Sequence, residues 1–253
     1  MASFLITGAS RGFGLALARE LSSRPSSEVG LIFAAIRGES SELLELARSS
    51  PGRVKVVKLD VTDEDSIKEA VGEIEGTLAG NGLDVLINNA GICHFAADGI
   101  KSMDNRQESF EVNVFGVHRV TQAFLPVLEK GKLKKVANIS TTFGSITLAS
   151  HLHALPTPAY KISKAAMNAL TVQYALDHGK DGFSFMALCP GWMKTELGGG
   201  DMADLTPEEG AKASLDIIYR PNEQTNGQMP KVLVKGWEHA SGINVYDGSN
   251  APW

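Results

Sequence analysis

The stretch Phe4-Leu5-Ile6-Thr7-Gly8-Ala9-Ser10-Arg11-Gly12-Phe13-Gly14 sets the fold. Phe4 to Ile6 is a short apolar run of the kind that fills a buried strand, and Leu15 to Leu21 continues with helical character. Between them lies a glycine-rich turn. A strand that feeds a tight turn and then a helix presents backbone N–H groups and the positive end of the helix dipole to whatever sits above the turn, and a phosphate fits that arrangement. The glycines fall as G-x-x-x-G-x-G rather than G-x-G-x-x-G, so the motif alone also suits a purely structural turn. Its place at the first strand-to-helix junction of a βα series favours a dinucleotide site.

Outward from that turn, apolar runs recur with helical segments between them. Val29–Ile36, Val54–Leu59, Asp84–Ile87, Lys134–Ser140 and Phe183–Leu188 read as strands. Ser41–Ser49, the segment from Asp63 to Ala79, Ser102 to about Glu129, Pro158 to about His178 and the segment opened by Thr206-Pro207-Glu208-Glu209 read as helices. Thr62 or Asp63 is placed to cap the second of them, and Thr206 with Pro207 at N1 the last. Ile243–Tyr246 reads as a late strand. The expectation is a single-domain α/β Rossmann fold over residues 1–253, a doubly wound, mostly parallel seven-stranded sheet with helices on both faces. A substrate-pocket loop is expected near 142–158 and a mobile substrate loop and helix near 193–220.

Composition narrows the class. The chain has 253 residues, 43% hydrophobic and 21% charged, with a formal net charge of -5, so no general attraction to nucleic acid or to an anionic membrane is expected. Cys93 and Cys189 stand far apart in no metal-like spacing, which argues against a metal site or a disulfide framework and for reduced thiols in a cytoplasmic protein. The opening residues lack a basic region and a long apolar run, so they read as a first strand rather than a leader or membrane span.

Two positions bear on the adenine end of such a site. Arg37 ends the second strand, where an acid would bond a free ribose 2′-hydroxyl and an arginine would pair with a 2′-phosphate. Arg37 there, with Arg11 in reach, favours NADP(H) over NAD(H), against the alternative of two solvated arginines. Asp60 stands at the carboxyl end of the third strand, where ligands of open α/β sheets bind.

The chemistry is suggested by Tyr160-Lys161-Ile162-Ser163-Lys164. Tyr160 and Lys164, at i and i+4, share one helix face. A phenol ordinarily titrates near ~10, and a cation beside it favours the phenolate. The pair is therefore a candidate proton donor to a carbonyl oxygen, although a Tyr and a Lys on a helix surface are also common. Asn113, within a helical pattern, is either a satisfied core amide or part of a site. His151 and His153, at i and i+2, do not share a helix face and read as surface residues. Phe95, Phe143, Leu148, Leu152, Leu155, Trp192 and Met193 flank the expected pocket and suggest an apolar substrate.

Taken together, Thr7-Gly8-Ala9-Ser10-Arg11-Gly12-Phe13-Gly14, Asp60-Val61, Asn88-Asn89-Ala90-Gly91, Asn113, Tyr160-x-x-x-Lys164 and Pro190-Gly191 resemble the short-chain dehydrogenase/reductase family over nearly the whole chain. The closing Tyr246 to Trp253 is similar to its C-factor and Sniffer-like carbonyl reductase branch. The resemblance implies hydride transfer between a nicotinamide and a carbonyl or alcohol carbon. It places the pyrophosphate over Gly8, Gly12 and Gly14, with Ser10, Arg11 and Phe13 in the same turn, and the 2′-phosphate at Arg37. It sets Asp60 and Val61 at the adenine, Asn89, Ala90 and Gly91 along the adenosine ribose side, Tyr160 and Lys164 at the nicotinamide ribose, and Pro190, Gly191, Met193 and Thr195 around the carboxamide. Tyr160 would be the acid, Lys164 its stabiliser, and Asn113 would hold a water linking Lys164 to solvent. The family's serine three residues before the glycine after strand five is here Thr141, with Ser140 beside it on the opposite strand face. A homodimer or homotetramer is also implied. A cofactor-binding sensor or scaffold without turnover, and a cyclase or isomerase using the same pocket, are the competing readings.

Overall fold

The structure is a computed structural model that describes residues 1–153, 155–239 and 245–253. Six strands form one sheet: β1 (Ala2–Thr7), β2 (Val29–Ile36), β3 (Val54–Lys58), β4 (Val85–Asn88), β5 (Lys135–Ile139) and β6 (Ser184–Leu188). Their order is β3-β2-β1-β4-β5-β6, and every pairing is parallel. The order reverses between β1 and β4, which opens a crevice above their carboxyl ends. The helices are α1 (Gly12–Ser23), α2 (Ser41–Ser49), α3 (Glu64–Leu78), α4 (Arg106–Phe110), α5 (Val117–Glu129), α6 (Pro158–His178), α7 (Pro207–Ile218) and α8 (Asn222–Thr225).

A parallel sheet covered on both faces needs strands apolar on both faces. The residues of β4, β5 and β6 are buried throughout, and Phe4, Leu5 and Ile6 of β1 are fully so. One apolar layer joins α1 and α7 to the sheet through Leu17, Leu21, Leu215 and Ile218. The other joins α3 and α5 through Ile74, Leu78, Phe124 and Leu128. At the amino ends of the strands Asp84 is buried yet fully engaged. Its carboxylate accepts from Ser3 N–H at 2.9 Å and Ser3 Oγ–H at 3.2 Å, and from Lys132 and Leu133 N–H at 2.7 and 3.3 Å. One side chain thereby ties together β1, β4 and the turn into β5.

Two expectations are corrected. The seventh strand is not where the alternation of Ile243–Tyr246 puts it: Ile243 and Asn244 lie outside the described residues, and Val245 and Tyr246 are not in a strand. The edge of β6 is covered instead by residues 228–232. Ala187 N–H donates to Gln228 O at 3.0 Å, Cys189 N–H to Pro230 O at 2.9 Å, and Val232 N–H to Cys189 O at 3.1 Å. Pro230 has no N–H to return to this edge, where Cys189 and Lys231 form an isolated parallel bridge. The helix expected over Ser102–Glu129 is also interrupted. A 3₁₀ turn spans Gly99–Ser102, and residues Glu111–Gly116 form a π turn between α4 and α5. Widening of this kind recurs at functional sites, and it is this turn that carries Asn113.

Candidate active site

A cleft of about 950 Å³ lies over the carboxyl ends of the strands. It runs from Arg37 and Asp60, over the glycine turn, to Tyr160 and the 190–198 loop. Every residue that the sequence assigns to a cofactor lines it, from Gly8, Ser10, Arg11, Gly12, Phe13 and Gly14 through Arg37, Asp60, Val61, Asn89, Ala90 and Gly91 to Pro190, Gly191, Met193 and Thr195.

The glycine turn is built for close backbone approach. Gly8 and Gly12 have φ of +67° and +54°, a region costly for side-chain-bearing residues. A Cβ on Gly14 would stand 2.4 Å from Gly8 O and 2.5 Å from Asn89 Nδ2. The turn is pinned to the end of β4. Asn89 Nδ2 donates to the carbonyls of Thr7 and Gly8 at 2.8 and 3.1 Å, while Thr7 Oγ1 accepts from Asn89 and Ala90 N–H, both at 3.0 Å. Asn89 therefore shapes the turn, a role its position in the sequence did not disclose. The N-terminus of α1 has no side-chain cap and no acid in its first turn, so its N–H groups and dipole face the cleft without a competing anion.

At the adenine end Arg37 makes no ion pair or hydrogen bond with the described residues and remains exposed beside Gly38 and Glu39 in the wall. Arg11 is engaged differently: its Nη1 meets Glu196 Oε2 at 2.7 Å, and the exposed pair bridges the glycine turn and the loop after β6. Asp60 Oδ1 accepts from Thr62 N–H and Oγ1–H at 2.9 and 2.7 Å, which fixes its carboxylate at the strand end. The side chain of Thr195 packs against Gly12, where an added Cβ would be 3.3 Å from Thr195 Cγ2. These features suit a phosphorylated dinucleotide: an uncapped helix end, glycines that admit its backbone contacts, and a free guanidinium.

At the other end of the cleft α6 supplies Tyr160 and Lys164. A buried polar seam under the site fixes the helix. Asn88 Nδ2 donates to Thr121 Oγ1 at 2.9 Å and to Asn138 Oδ1 at 2.8 Å, and Asn138 Nδ2 donates to Thr171 Oγ1 at 2.9 Å. Ser140 Oγ donates to Asn168 Oδ1 at 2.6 Å. These bonds run from β4 and β5 to α5 and α6 and together specify one orientation of the helix, with Asn88 Oδ1 the one member of the seam that has no partner among the described residues.

Ser140 and Thr141 both line the cleft, but the hydroxyl proton of Ser140 is committed to Asn168, which leaves that of Thr141 for a ligand. Thr141 Oγ1 accepts from Phe143 N–H at 3.2 Å, so the hydroxyl proton stays available to a ligand oxygen. Lys164, 5% exposed, donates from Nζ to Ile139 O at 2.6 Å and sits 5.8 Å from the centroid of the Tyr160 ring. Burial lowers its pKa from 10.5 to about 8, against a smaller opposing pull from Cys93. The expected lowering of the Tyr160 pKa is reversed. Burial, reinforced by Cys93 and Cys189, pushes the phenol well above its ordinary value. Desolvation penalises phenolate and ammonium alike, and here it outweighs their mutual attraction. Without a further positive charge in the cleft, Tyr160 is a firmly protonated phenol.

Asn113 is fully buried and does not line the cleft. Its Oδ1 accepts from Ile92 N–H at 2.9 Å, and its Nδ2 donates to Ile92 O at 2.9 Å and Ser163 Oγ at 3.0 Å. Both amide protons are used, so the side chain holds the chain after β4 against α6.

Of the expected apolar wall, Phe95, Phe143, Leu155, Trp192 and Met193 line the cleft, whereas Leu148 and Leu152 do not; Leu152 is buried beneath the loop. Lys161 anchors that loop, with Nζ donating to Leu152 O at 2.5 Å and lying 5.2 Å from the Phe143 ring centroid. Both loop histidines are exposed, as expected. Cys93, Glu108, Thr157, Lys231 and Tyr246 also line the cleft and were not anticipated. They come from separate connections, and no short motif marks them. Tyr246 is the most consequential. Its hydroxyl donates to Asp204 Oδ2 at 2.5 Å and accepts from Trp192 N–H at 3.1 Å, so it clamps both ends of the 192–205 loop. Among the described residues there is no cluster of three or more potential metal ligands and no helix long and apolar enough to cross a membrane.

Comparison with known proteins agrees with this geometry. The profile of the family described as short chain dehydrogenase matches residues 3–205. The short-chain dehydrogenase/reductase atnB of Arthrinium sp is 38% identical over 223 residues, 82% of this chain and 80% of that protein. The short chain dehydrogenase virK of Hypocrea virens is 33% identical over 260 residues, 95% and 93% of the two chains. Among solved structures, the NADPH-bound carbonyl reductase from chicken fatty liver superposes with a TM-score of 0.85 at 31% identity, covering 100% of this chain and 99% of that one. The carbonyl reductase Sniffer of D. melanogaster gives 0.85 at 27% identity, with 100% of both chains covered. With the glycine turn, the Tyr160–Lys164 pair and the 3-2-1-4-5-6 sheet in one frame, the chain belongs to the short-chain dehydrogenase/reductase family of oxidoreductases, and its likeness extends to the Sniffer-type carbonyl reductases.

Proposed function

We propose that this protein is an NADP(H)-dependent reductase of apolar carbonyl compounds, able to run in the alcohol-oxidising direction as well. The observation that carries the reading is the continuity of one cleft from Arg37 and the uncapped α1 terminus to Tyr160, Lys164 and Thr141. Arg37, with no partner among the described residues, is the group for a 2′-phosphate, and relatives of similar structure include an NADPH-bound carbonyl reductase. Gly8, Gly12 and Gly14 would admit the pyrophosphate, and Asp60 and Val61 would edge the adenine. When bound, the nicotinamide supplies the hydride and, once oxidised, a positive ring beside the phenol.

The protein's own part is binding, orientation and proton transfer. Thr141 offers its free hydroxyl proton to the carbonyl oxygen, which holds and polarises that group. Tyr160 keeps its proton in the dry pocket and delivers it to the same oxygen as negative charge develops there. Lys164 holds its proton below about pH 8 and stabilises the resulting phenolate. Proton transfer by a placed acid is worth roughly 10²–10⁴-fold, with further gain from orientation. Phe95, Phe143, Leu155 and Trp192 exclude water and favour an apolar substrate.

The test is NADPH consumption across a panel of ketones and aldehydes, compared with Tyr160→Phe. Loss of turnover with retained NADPH binding in the variant is expected. Undiminished turnover in Tyr160→Phe, or tight NADPH binding with no substrate reduced by the native protein, refutes the reading; the second result would favour a cofactor sensor.

A further inference from the structure

Thr157 caps the start of α6 by position but not by bonding. Its side chain makes no capping hydrogen bond, and its Oγ1 is buried with no partner among the described residues. The residue is 2% exposed and yet forms part of the cleft wall. A buried hydroxyl without a partner is destabilising, so a ligand that supplies one recovers that free energy on binding. Staggered χ1 wells let the hydroxyl and methyl of a threonine exchange places, so the oxygen can turn to meet it.

Its position relative to the proposed chemistry is defined. Thr157 is the N-cap residue just before α6, three residues ahead of Tyr160 and seven ahead of Lys164, and all three line the cleft. Side chains one turn apart are separated by about 5–6 Å at Cβ. Around Thr157 the wall is apolar, with Leu155, Phe143 and Phe95 in the same cleft. An unpartnered hydroxyl in an apolar wall discriminates strongly for a ligand with a matching polar group.

We infer that Thr157 is a specificity-determining residue that hydrogen-bonds a second oxygen of the substrate, so that the site takes apolar carbonyl compounds bearing a hydroxyl or second carbonyl about one helical turn from the reacting carbonyl. This deepens the proposed reductase function and rests on it for the identity of the reacting group; the placement of the second oxygen rests on Thr157 alone.

The probes are 1-tetralone and 4-hydroxy-1-tetralone. They share a ring system and reacting ketone and differ by one hydroxyl across the ring. The native protein is expected to favour the hydroxy compound in kcat/KM, and in Kd by calorimetry with NADP+ present, by about 10–100-fold. Thr157→Val, which keeps the shape and removes the hydroxyl, should bring both ratios to about one, and Thr157→Ser should restore them. A purely structural role for Thr157 would shift both compounds by the same factor and leave the ratios unchanged, which overturns the inference. So does a native protein that does not distinguish the two compounds. Preserved discrimination in Kd with no turnover of either compound upholds the inference and refutes only the reductase function.

Discussion

Lys164 carries the sharpest prediction, because the feature proposed to serve catalysis weakens the fold. Its side chain is 5% exposed, with hydrogen bonds from Nζ to Ile139 O at 2.6 Å and to Met167 Sδ at 3.9 Å, and burial lowers its pKa from 10.5 to about 8. A shift of about two and a half units corresponds to roughly 3 kcal/mol, at 1.36 kcal/mol per unit. The sign follows from proton binding. Between pH 8 and 10.5 the unfolded chain holds this proton and the folded one releases it, so stability rises with pH across that window. Below about pH 8 the folded protein carries the whole penalty, and above 10.5 none of it. Lys164→Met keeps much of the side-chain volume and removes the titration. Urea unfolding of both proteins, without cofactor, should therefore give a difference in ΔG that moves by about 2–3 kcal/mol in favour of the native protein between pH 7 and pH 10. Cys93, pushed up to about 11 by burial, and Tyr160 shift in the opposite sense, but both are present in each protein and largely cancel in the difference. Loss of the bond to Ile139 O adds an offset that does not vary with pH. Turnover should fall by at least about 10²-fold in the variant. A difference in stability that stays flat from pH 7 to 10 would show that Lys164 is not desolvated and would remove the physical basis of its assigned role.

Three further outcomes are expected. Gly14→Ala forces a methyl to within 2.4 Å of Gly8 O, which cannot retreat without opening the turn; NADPH binding should be lost and stability lowered by about 2 kcal/mol or more, whereas Gly38→Ala, with nothing within 4 Å of the added Cβ, should leave the fold unchanged. Arg37→Ala should weaken NADPH binding by about 10–100-fold while changing NADH binding little, read by calorimetry with each cofactor. Tyr246→Phe keeps the ring that packs near Trp237 but removes the bonds to Asp204 and Trp192; limited proteolysis within 193–204 should quicken, and the urea midpoint should fall by the equivalent of about 1–3 kcal/mol.

The organisation of the chain was legible where local rules suffice. Strand, glycine turn and helix at Phe4–Leu21 follow from apolar runs and from the backbone freedom of Gly8 and Gly12. Asp63 and Thr206 cap their helices as their side-chain chemistry requires, Thr206 in a reciprocal box with Glu209. The choice of Thr141 over Ser140 follows from strand alternation, and the hydrogen bond of Ser140 to Asn168 agrees with it. The late strand expected over Ile243–Tyr246 lies partly outside the described residues, and alternation there cannot reveal that a proline-containing segment, residues 228–232, lies along the edge of β6.

What the sequence determined by itself was the kind of fold and the residue types gathered at its crevice, since both depend on spacing within single segments. Tertiary structure decided their chemical state. Desolvation raises the pKa of Tyr160, where the neighbouring cation alone would lower it, and the same desolvation lowers that of Lys164. The Asn113 side chain is a tie between α6 and the chain after β4, and Tyr246 joins the site only because distant connections converge there. Desolvation and convergence are properties of the assembled layers, and no window along the chain contains them.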